Sequence, residues 1–261
     1  MSEFQEKAPI ISKESLTGEV FRLTVHSPQI AESAVAGQFA MIRVQDSLDP
    51  LLRRPFSIHK TGADGSVSFL FKVVGKGTAM MAALQPGMEL DLIGPLGRGF
   101  TRPVTGSFSM IGGGMGIAPL FFLAQQLLAV ERAYSNPPVL LGAQTQAELL
   151  QLAEEFVELG FPVHTATDDG TLGHHGFVTE LLDRILTRVQ QVYVCGPMPM
   201  MRIVAQKCLK AGVACQVSLE THMACGLGAC LGCTIPAAPG GYKHVCKDGP
   251  VFSAEEVLWT L

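Results

Sequence analysis

Four cysteines near the end of the chain, Cys225, Cys230, Cys233 and Cys246, follow the spacing C-x4-C-x2-C-x12-C. The first intervals are those of plant-type [2Fe-2S] centres, whose fourth thiolate ligand arrives from further along the chain. Three ligands in one tight loop need small neighbours and unusual backbone angles. Gly226, Gly228, Ala229 and Gly232 meet that need and leave N–H groups able to point at sulfur. Structural zinc is the competing chemistry, but zinc modules usually present two separated Cys/His pairs, and here three thiols crowd together with one apart. Cys208 and Cys215 fall in a predicted helix and a predicted strand, where a free thiol is commonly a small buried hydrophobe.

A second candidate chemistry lies earlier. A strand over Ser107 to Ile111 runs into Gly112-Gly113-Gly114-Met115-Gly116 and then a helix from Ile117. That places glycines where backbone can approach a ligand, and a helix N-terminus where a phosphate is favoured. Neither register satisfies G-x-G-x-x-G, so a tight strand-to-helix turn without a ligand stays open as the alternative. A similar unit, Tyr193-Val194-Cys195-Gly196-Pro197-Met198, puts a thiol and a glycine at another strand end. Both loops are expected at the sheet edge where open α/β folds bind ligands. No Lys or Arg occurs between Arg132 and Arg184, so the turn Gly142-Ala143-Gln144-Thr145 offers no cation to a 2′-phosphate. A dinucleotide bound there would be NAD(H) rather than NADP(H).

Positioning these groups falls to two kinds of element. The first hundred residues read as short strands (Val20 to His26, Phe39 to Val44, and Val67 to Val73 in strict alternation), punctuated by Gly- and Pro-containing turns, the pattern of a small barrel. After Thr101-Arg102-Pro103 the pattern becomes βα units: strands at Val139 to Leu141, Val163 to Ala166, Val192 to Cys195 and Val213 to Leu219, with a clear helix over Gln146 to Leu159 closed by Gly160. The fold class is therefore a β barrel plus an α/β domain with a small appended module, divided at 1–101, 102–220 and 221–261. The 261 residues are 48% apolar and only 16% charged, which excludes disorder as the main state. A net charge of −4 without a basic stripe argues against nucleic acid. The acidic start, the glycines and prolines inside the uncharged run 103–130, and the seven cysteines point to a cytoplasmic protein without a membrane span.

Arg54-Pro55-Phe56-Ser57, Gly75-Lys76-Gly77-Thr78, the glycine loop through Pro119 and Cys195-Gly196-Pro197 occur in the order found in ferredoxin-reductase-like flavoproteins, which this chain resembles. With the four-cysteine module added, it resembles the electron-transfer subunits of NAD-dependent, two-subunit dihydroorotate dehydrogenases almost end to end. The resemblance implies a flavin barrel, a nicotinamide domain and a [2Fe-2S] module. It implies that Arg54 pairs with the FAD pyrophosphate, Ser57 lies near the reactive edge of the isoalloxazine, Leu70, Phe71 and Lys72 line the flavin, and Gly77 and Thr78 donate to phosphate. Many reductases of the broader superfamily carry Tyr where this chain has Phe56, so no phenolic hydroxyl acts there. Without the resemblance, Arg53-Arg54 reads as a solvated pair and Gly75 to Thr78 as a hairpin or helix-start turn.

The expected chemistry follows from the same resemblance. Electrons reach the cluster singly from a partner subunit, gather on FAD and leave as hydride to NAD+, and no residue of this chain need act as acid or base. The partner is expected to be an FMN-containing catalytic subunit that oxidises dihydroorotate in pyrimidine synthesis, in a heterotetramer of two of each. The uncharged segment Met223 to Tyr242 is the expected docking face. Alternatives are a reductase subunit of a hydrogenase, sulfide dehydrogenase or electron-bifurcating complex, and a zinc-stabilised, non-enzymatic binding module. His174-His175 reads as a solvated loop, and Trp259 as an anchor for the last segment.

Overall fold

The computed structural model describes residues 2–103, 107–130, 137–238 and 240–259. The first hundred residues contain β1 (Phe4–Ser15), β2 (Val20–His26), α1 (Pro28–Ser33), β3 (Phe39–Arg43), β4 (Arg54–Thr61), β5 (Ser66–Lys72), α2 (Lys76–Ala83) and β6 (Glu89–Leu96). All six strands pair antiparallel in the order β1-β2-β5-β4-β3-β6, and β6 returns to β1 to close a barrel. Closure removes every free edge, so the barrel presents no strand for unwanted pairing. Val67, Phe69 and Phe71 fill its interior. The alternation of β5 predicts an open outer face, yet Ser68 and Leu70 are buried too. Ser68 bonds Thr24 across the strand pair, and Leu70 faces a covered cavity described below. The sequence reading passed over β1, because only two of its twelve residues, Ala8 and Ile10, are buried.

The second part contains β7 (Phe108–Gly113), α3 (Ile117–Val130), β8 (Val139–Ala143), α4 (Gln146–Glu158), β9 (Val163–Thr167), β10 (His174–His175), α5 (Val178–Leu181), β11 (Gln191–Cys195), α6 (Met198–Ala211) and β12 (Ala214–Ser218). The last part holds β13 (Thr234–Pro236), β14 (Tyr242–His244), α7 (Val245–Asp248) and β15 (Val251–Ser253). The sheet order is β10-β9-β8-β7-β11-β12-β15, parallel except for β15, which pairs antiparallel with β12. The chain thus winds outward in both directions from β7. The switch point lies between β7 and β11, where an open sheet leaves a crevice at its carboxyl edge. His174-His175, expected in a loop, instead forms the short edge strand β10, and His174 Nε2 lies 2.7 Å from Glu180. Trp259 does anchor its segment, through an Nε1–H bond to the Ala254 carbonyl.

The run 103–130 is divided between β7 and the fourteen-residue α3, with residues 104–106 outside the described ones. Among the described residues no helix is long and apolar enough to cross a membrane. The two terminal residues of the 221–261 segment also lie outside the description.

Candidate electron-transfer sites

The cysteine loop is held by its own backbone. Gly226 and Gly228 have φ of +74° and +77°, and the loop adds a third left-handed residue at Leu231, φ +59°. A side chain at Gly226 would strike Met41 of the barrel, so the loop can seat against β3 only with glycine there. These turns aim N–H groups at sulfur: Leu227 and Cys230 at Cys225, Gly228 at Cys246 at 3.1 Å, and Gly232 at Cys230. The sulfurs fall into two pairs. Cys233 and Cys246 Sγ are 3.2 Å apart, and the Cys225 and Cys230 side chains interact with each other. Two pairs of thiols fit two irons, each of which takes two protein thiolates in a [2Fe-2S] centre. Among the described residues no group of three or more His, Cys, Asp or Glu converges on one point.

The electrostatics agree with that donor set. Burial works against a Cys225 thiolate, but N–H groups of Leu227, Cys230 and Ala229 outweigh it and bring the thiol down to about 6. Burial and the neighbouring Cys233 thiol push Cys246 up to about 12. Burial thus opposes the thiolate at Cys246, from which iron binding must displace a proton, whereas the N–H groups favour it at Cys225. Cys230 is exposed, whereas Cys233 and Cys246 are buried. One edge of the sulfur set thus faces outward, flanked in sequence by the exposed Leu227 and Leu231.

A cavity of about 320 Å³ adjoins this loop, lined by Pro55, Phe56, Ser57, Leu70, Phe71, Lys72 and Thr78 from the barrel. Phe56 stands edge-on to Phe71 at 6.1 Å, and Phe71 stacks on Phe21 at 5.7 Å. The walls combine aromatic and aliphatic side chains with polar groups, among them the buried Ser218, a lining that suits an isoalloxazine ring. Arg54 lies outside this cavity, on a second one of about 580 Å³ that reaches Ala224 and Gly232 of the cysteine loop. Gly77 at the start of α2 is where the Arg54 side chain passes, and a Cβ there would sit 2.8 Å from its Nε. That cradle, beside the N-terminus of α2, brings a guanidinium close to the start of a helix, a combination that suits a phosphate group. The Thr78 hydroxyl meanwhile accepts from the Val74 and Gly75 N–H groups.

The crevice at the sheet switch point forms a third cavity, of about 500 Å³, lined by Gly113, Gly114, Met115, Pro197, Lys72 and Glu148 among others. Gly114, at φ +53°, has open space where a side chain would stand, so backbone can meet a ligand there. Gly112 and Gly116 lie behind the cavity wall. A Cβ on Gly116 would sit 2.4 Å from the Cys195–Gly196 backbone, so glycine lets the two loops pack main chain to main chain. Cys195 is likewise wholly buried, and burial raises its thiol far above the usual range, leaving it no nucleophilic role. Sequence reasoning missed Met115, Glu148, Asp168 and Phe177 of this cavity and Glu220, Thr221 and Met223 of the flavin-sized one. For Glu148, the first turn of the helix after β8 was the available signal.

The comparisons with known proteins fit this geometry. Three family descriptions match successive stretches: oxidoreductase FAD-binding domain over 7–100, oxidoreductase NAD-binding domain over 110–206, and iron-sulfur cluster binding domain of dihydroorotate dehydrogenase B over 220–258. The dihydroorotate dehydrogenase B (NAD(+)) electron transfer subunit of Desulforamulus reducens is 39% identical, with 97% of each chain covered. Its counterpart in Geobacillus kaustophilus is 38% identical over 97% of this chain and 98% of its own. Among solved structures, an NADH-dependent reduced ferredoxin-NADP oxidoreductase, described for flavin-based electron bifurcation, superposes with a TM-score of 0.86 at 31% identity, covering 97% of this chain and 90% of its own. A Neisseria gonorrhoeae ferredoxin NADP+ reductase with bound FAD and NADP shares the fold, with a TM-score of 0.67 at 18% identity over 80% of this chain and 92% of its own. Paired thiols, an aromatic-walled barrel cavity and a glycine-lined crevice thus meet near-complete sequence coverage, and the chain belongs to the family of dihydroorotate dehydrogenase B (NAD(+)) electron transfer subunits, NAD-linked oxidoreductase subunits that use FAD and a [2Fe-2S] cluster.

Proposed function

We propose that the three sites act in series, with the cluster on Cys225, Cys230, Cys233 and Cys246, the flavin in the barrel cavity and the nicotinamide in the sheet crevice. The observation that carries this reading is shared walls. Pro55, Glu220, Thr221 and Met223 border both the cluster-side cavity and the flavin-sized one, and Lys72 and Met115 border both that one and the crevice. Held in these sites, a cluster would supply one-electron chemistry and a flavin the link between single-electron and hydride chemistry. The chain's own residues position and exclude. Arg54, in the cradle left by Gly77, holds a pyrophosphate, and Pro55, Phe56, Ser57, Leu70 and Phe71 clamp a planar ring and keep water from it. Gly113, Gly114 and Pro197 offer backbone to the dinucleotide, Gly116 lets that loop close on the Cys195 turn, Gly112 leaves room for Ile117, Leu120 and Leu141, and no side chain is assigned as acid or base. We divide the chain at 1–101, 102–220 and 221–261, with β15 of the last segment completing the sheet of the second.

The family name implies a catalytic partner subunit. We take that partner to be an FMN-containing subunit that oxidises dihydroorotate, assembled as two of each chain in the cytoplasm. Support comes from the exposed Cys230, with the exposed Leu227 and Leu231 on either side of it in a segment without charge. Mixing the holo-chain with such a subunit is expected to raise dihydroorotate-dependent NAD+ reduction at least tenfold above either alone, with a 2:2 mass by light scattering. Absence of both stimulation and complex would overturn the partner assignment.

A further inference from the structure

Helix α4 lies between the crevice and the barrel, and one of its faces is polar where it should be greasy. Glu148, Gln151 and Glu155, spaced three and four residues apart, share that face and all point at the barrel. Lys72 Nζ lies 2.7 Å from Glu148 and 3.6 Å from Glu19. Gln151 donates to Glu14 at 2.8 Å. Arg22 of β2 pairs with Glu155 through Nη2 and with Glu14 through Nη1 at 2.9 Å. His59 of β4, fully buried, has Nε2 3.4 Å from Glu155 and Nδ1 3.4 Å from the Ala118 carbonyl of α3. Its ring stacks on Phe121 at 4.8 Å, and Phe121 meets Phe156 of α4 edge-on.

We propose that this charged seam, Arg22–Glu155–His59 with Lys72–Glu148 beside it, is a positioning device that fixes the distance and orientation between the flavin cavity and the nicotinamide crevice. An ion pair removed from water gains little over an apolar contact, so stability alone does not account for the seam. Register does. Apolar faces such as Phe121 on Phe156 tolerate sliding, whereas one helical residue of rotation in α4 would strand the Arg22 and Glu155 charges with their side chains only 11% and 15% exposed. Both ends of the seam touch the sites it would align. Lys72 borders both cavities, and His59 lies two residues past Ser57 on the same strand and against Ala118, which lines the flavin cavity.

The test uses the full-length holo-protein and anaerobic stopped-flow reduction of its flavin by NADH, with rate constants read per bound flavin. Variants are Arg22→Met, Glu155→Gln and the two combined, with melting temperatures in parallel. Arg22→Met leaves the Glu155 carboxylate without its cation, Glu155→Gln leaves Arg22 only the exposed Glu14, and each is expected to lower both melting temperature and limiting rate. The double change removes both charges. It is expected to recover most of the melting temperature while the limiting rate stays about tenfold down, with the half-saturating NADH concentration within about threefold of the unaltered protein. Recovery of rate together with stability would overturn the proposal, as would unchanged rates in the single variants or loss of the flavin from the double one. The inference rests on the assignment of the two cavities. Were that assignment wrong, NADH would fail to reduce the flavin of the unaltered protein, which is a different result from variants that all react equally fast.

Discussion

The cysteine loop and the cleft between barrel and sheet carry one electron path but are built by opposite means. In the loop, ligands and N–H donors come from a single stretch between Cys225 and Cys246, and left-handed turns at Gly226, Gly228 and Leu231 shape it. In the cleft, walls come from β4, β5, the β7 and β11 loops and the segment after β12, and a seam of charges holds them in register. A local site depends on which atoms are present. A distributed one depends on how bodies that fold separately in sequence come to rest against each other, so substitutions far from any ligand reach it.

That contrast can be broken most sharply at Cys230. Cys230→Ser is expected to abolish the cluster and to lower electron exchange with the partner subunit by more than about a hundredfold, while NADH oxidation by an artificial dye changes less than about threefold. The paired measurements are iron content and the two rates; retention of partner-linked exchange would place the path elsewhere. In the cleft, Gly116→Val forces the glycine loop off the Cys195–Gly196 backbone. The expected loss is about 1–3 kcal/mol of stability and at least about tenfold in flavin reduction by NADH, with iron content untouched.

His59 probes the same seam through pH. Burial lowers its pKa below 6.5, against the opposing pull of Glu155, with Arg22 and the Ala118 carbonyl as its other polar neighbours. Between that lowered value and 6.5 the unfolded chain holds a proton that the folded one does not. Stability therefore falls as pH drops below 6.5 through that window and is restored above it, at no more than about 1.4 kcal/mol per pH unit. His59→Phe, which keeps a ring against Phe121, is expected to flatten this part of the curve in urea denaturation from pH 7 to 5; an unaltered slope would assign it to other groups. At the small end, Asp46→Asn breaks only the exposed pair with Arg43 and is expected to move the melting temperature by less than about 2 °C.

The same contrast explains what could be read from the chain. The strand end at Cys195 and the helix start at Gln146 are local patterns and stand where the sequence puts them, whereas β7 runs two residues past the expected end at Ile111 and α4 stops one residue short of Leu159. The partners of Arg22 and His59 could not be read, because Glu155 lies more than ninety residues away and its acidic face looks like any solvated helix surface. Gly112 and Gly116 read as ligand-facing glycines, and only the tertiary packing shows that the Ile117, Leu120 and Leu141 side chains press on the first and the Cys195–Gly196 backbone on the second. His174-His175 became an edge strand because β9 offered it a parallel partner.

The most direct test of the serial path is an anaerobic NADH titration of the purified full-length protein, followed by visible absorption and electron paramagnetic resonance, with iron and zinc counted on the same sample. The account predicts about two irons and one flavin per chain, with the flavin bleached by NADH and a reduced-cluster signal appearing in the same titration. A colourless protein holding zinc, or a flavin that NADH reduces while the cluster cannot exchange electrons with it, would contradict it.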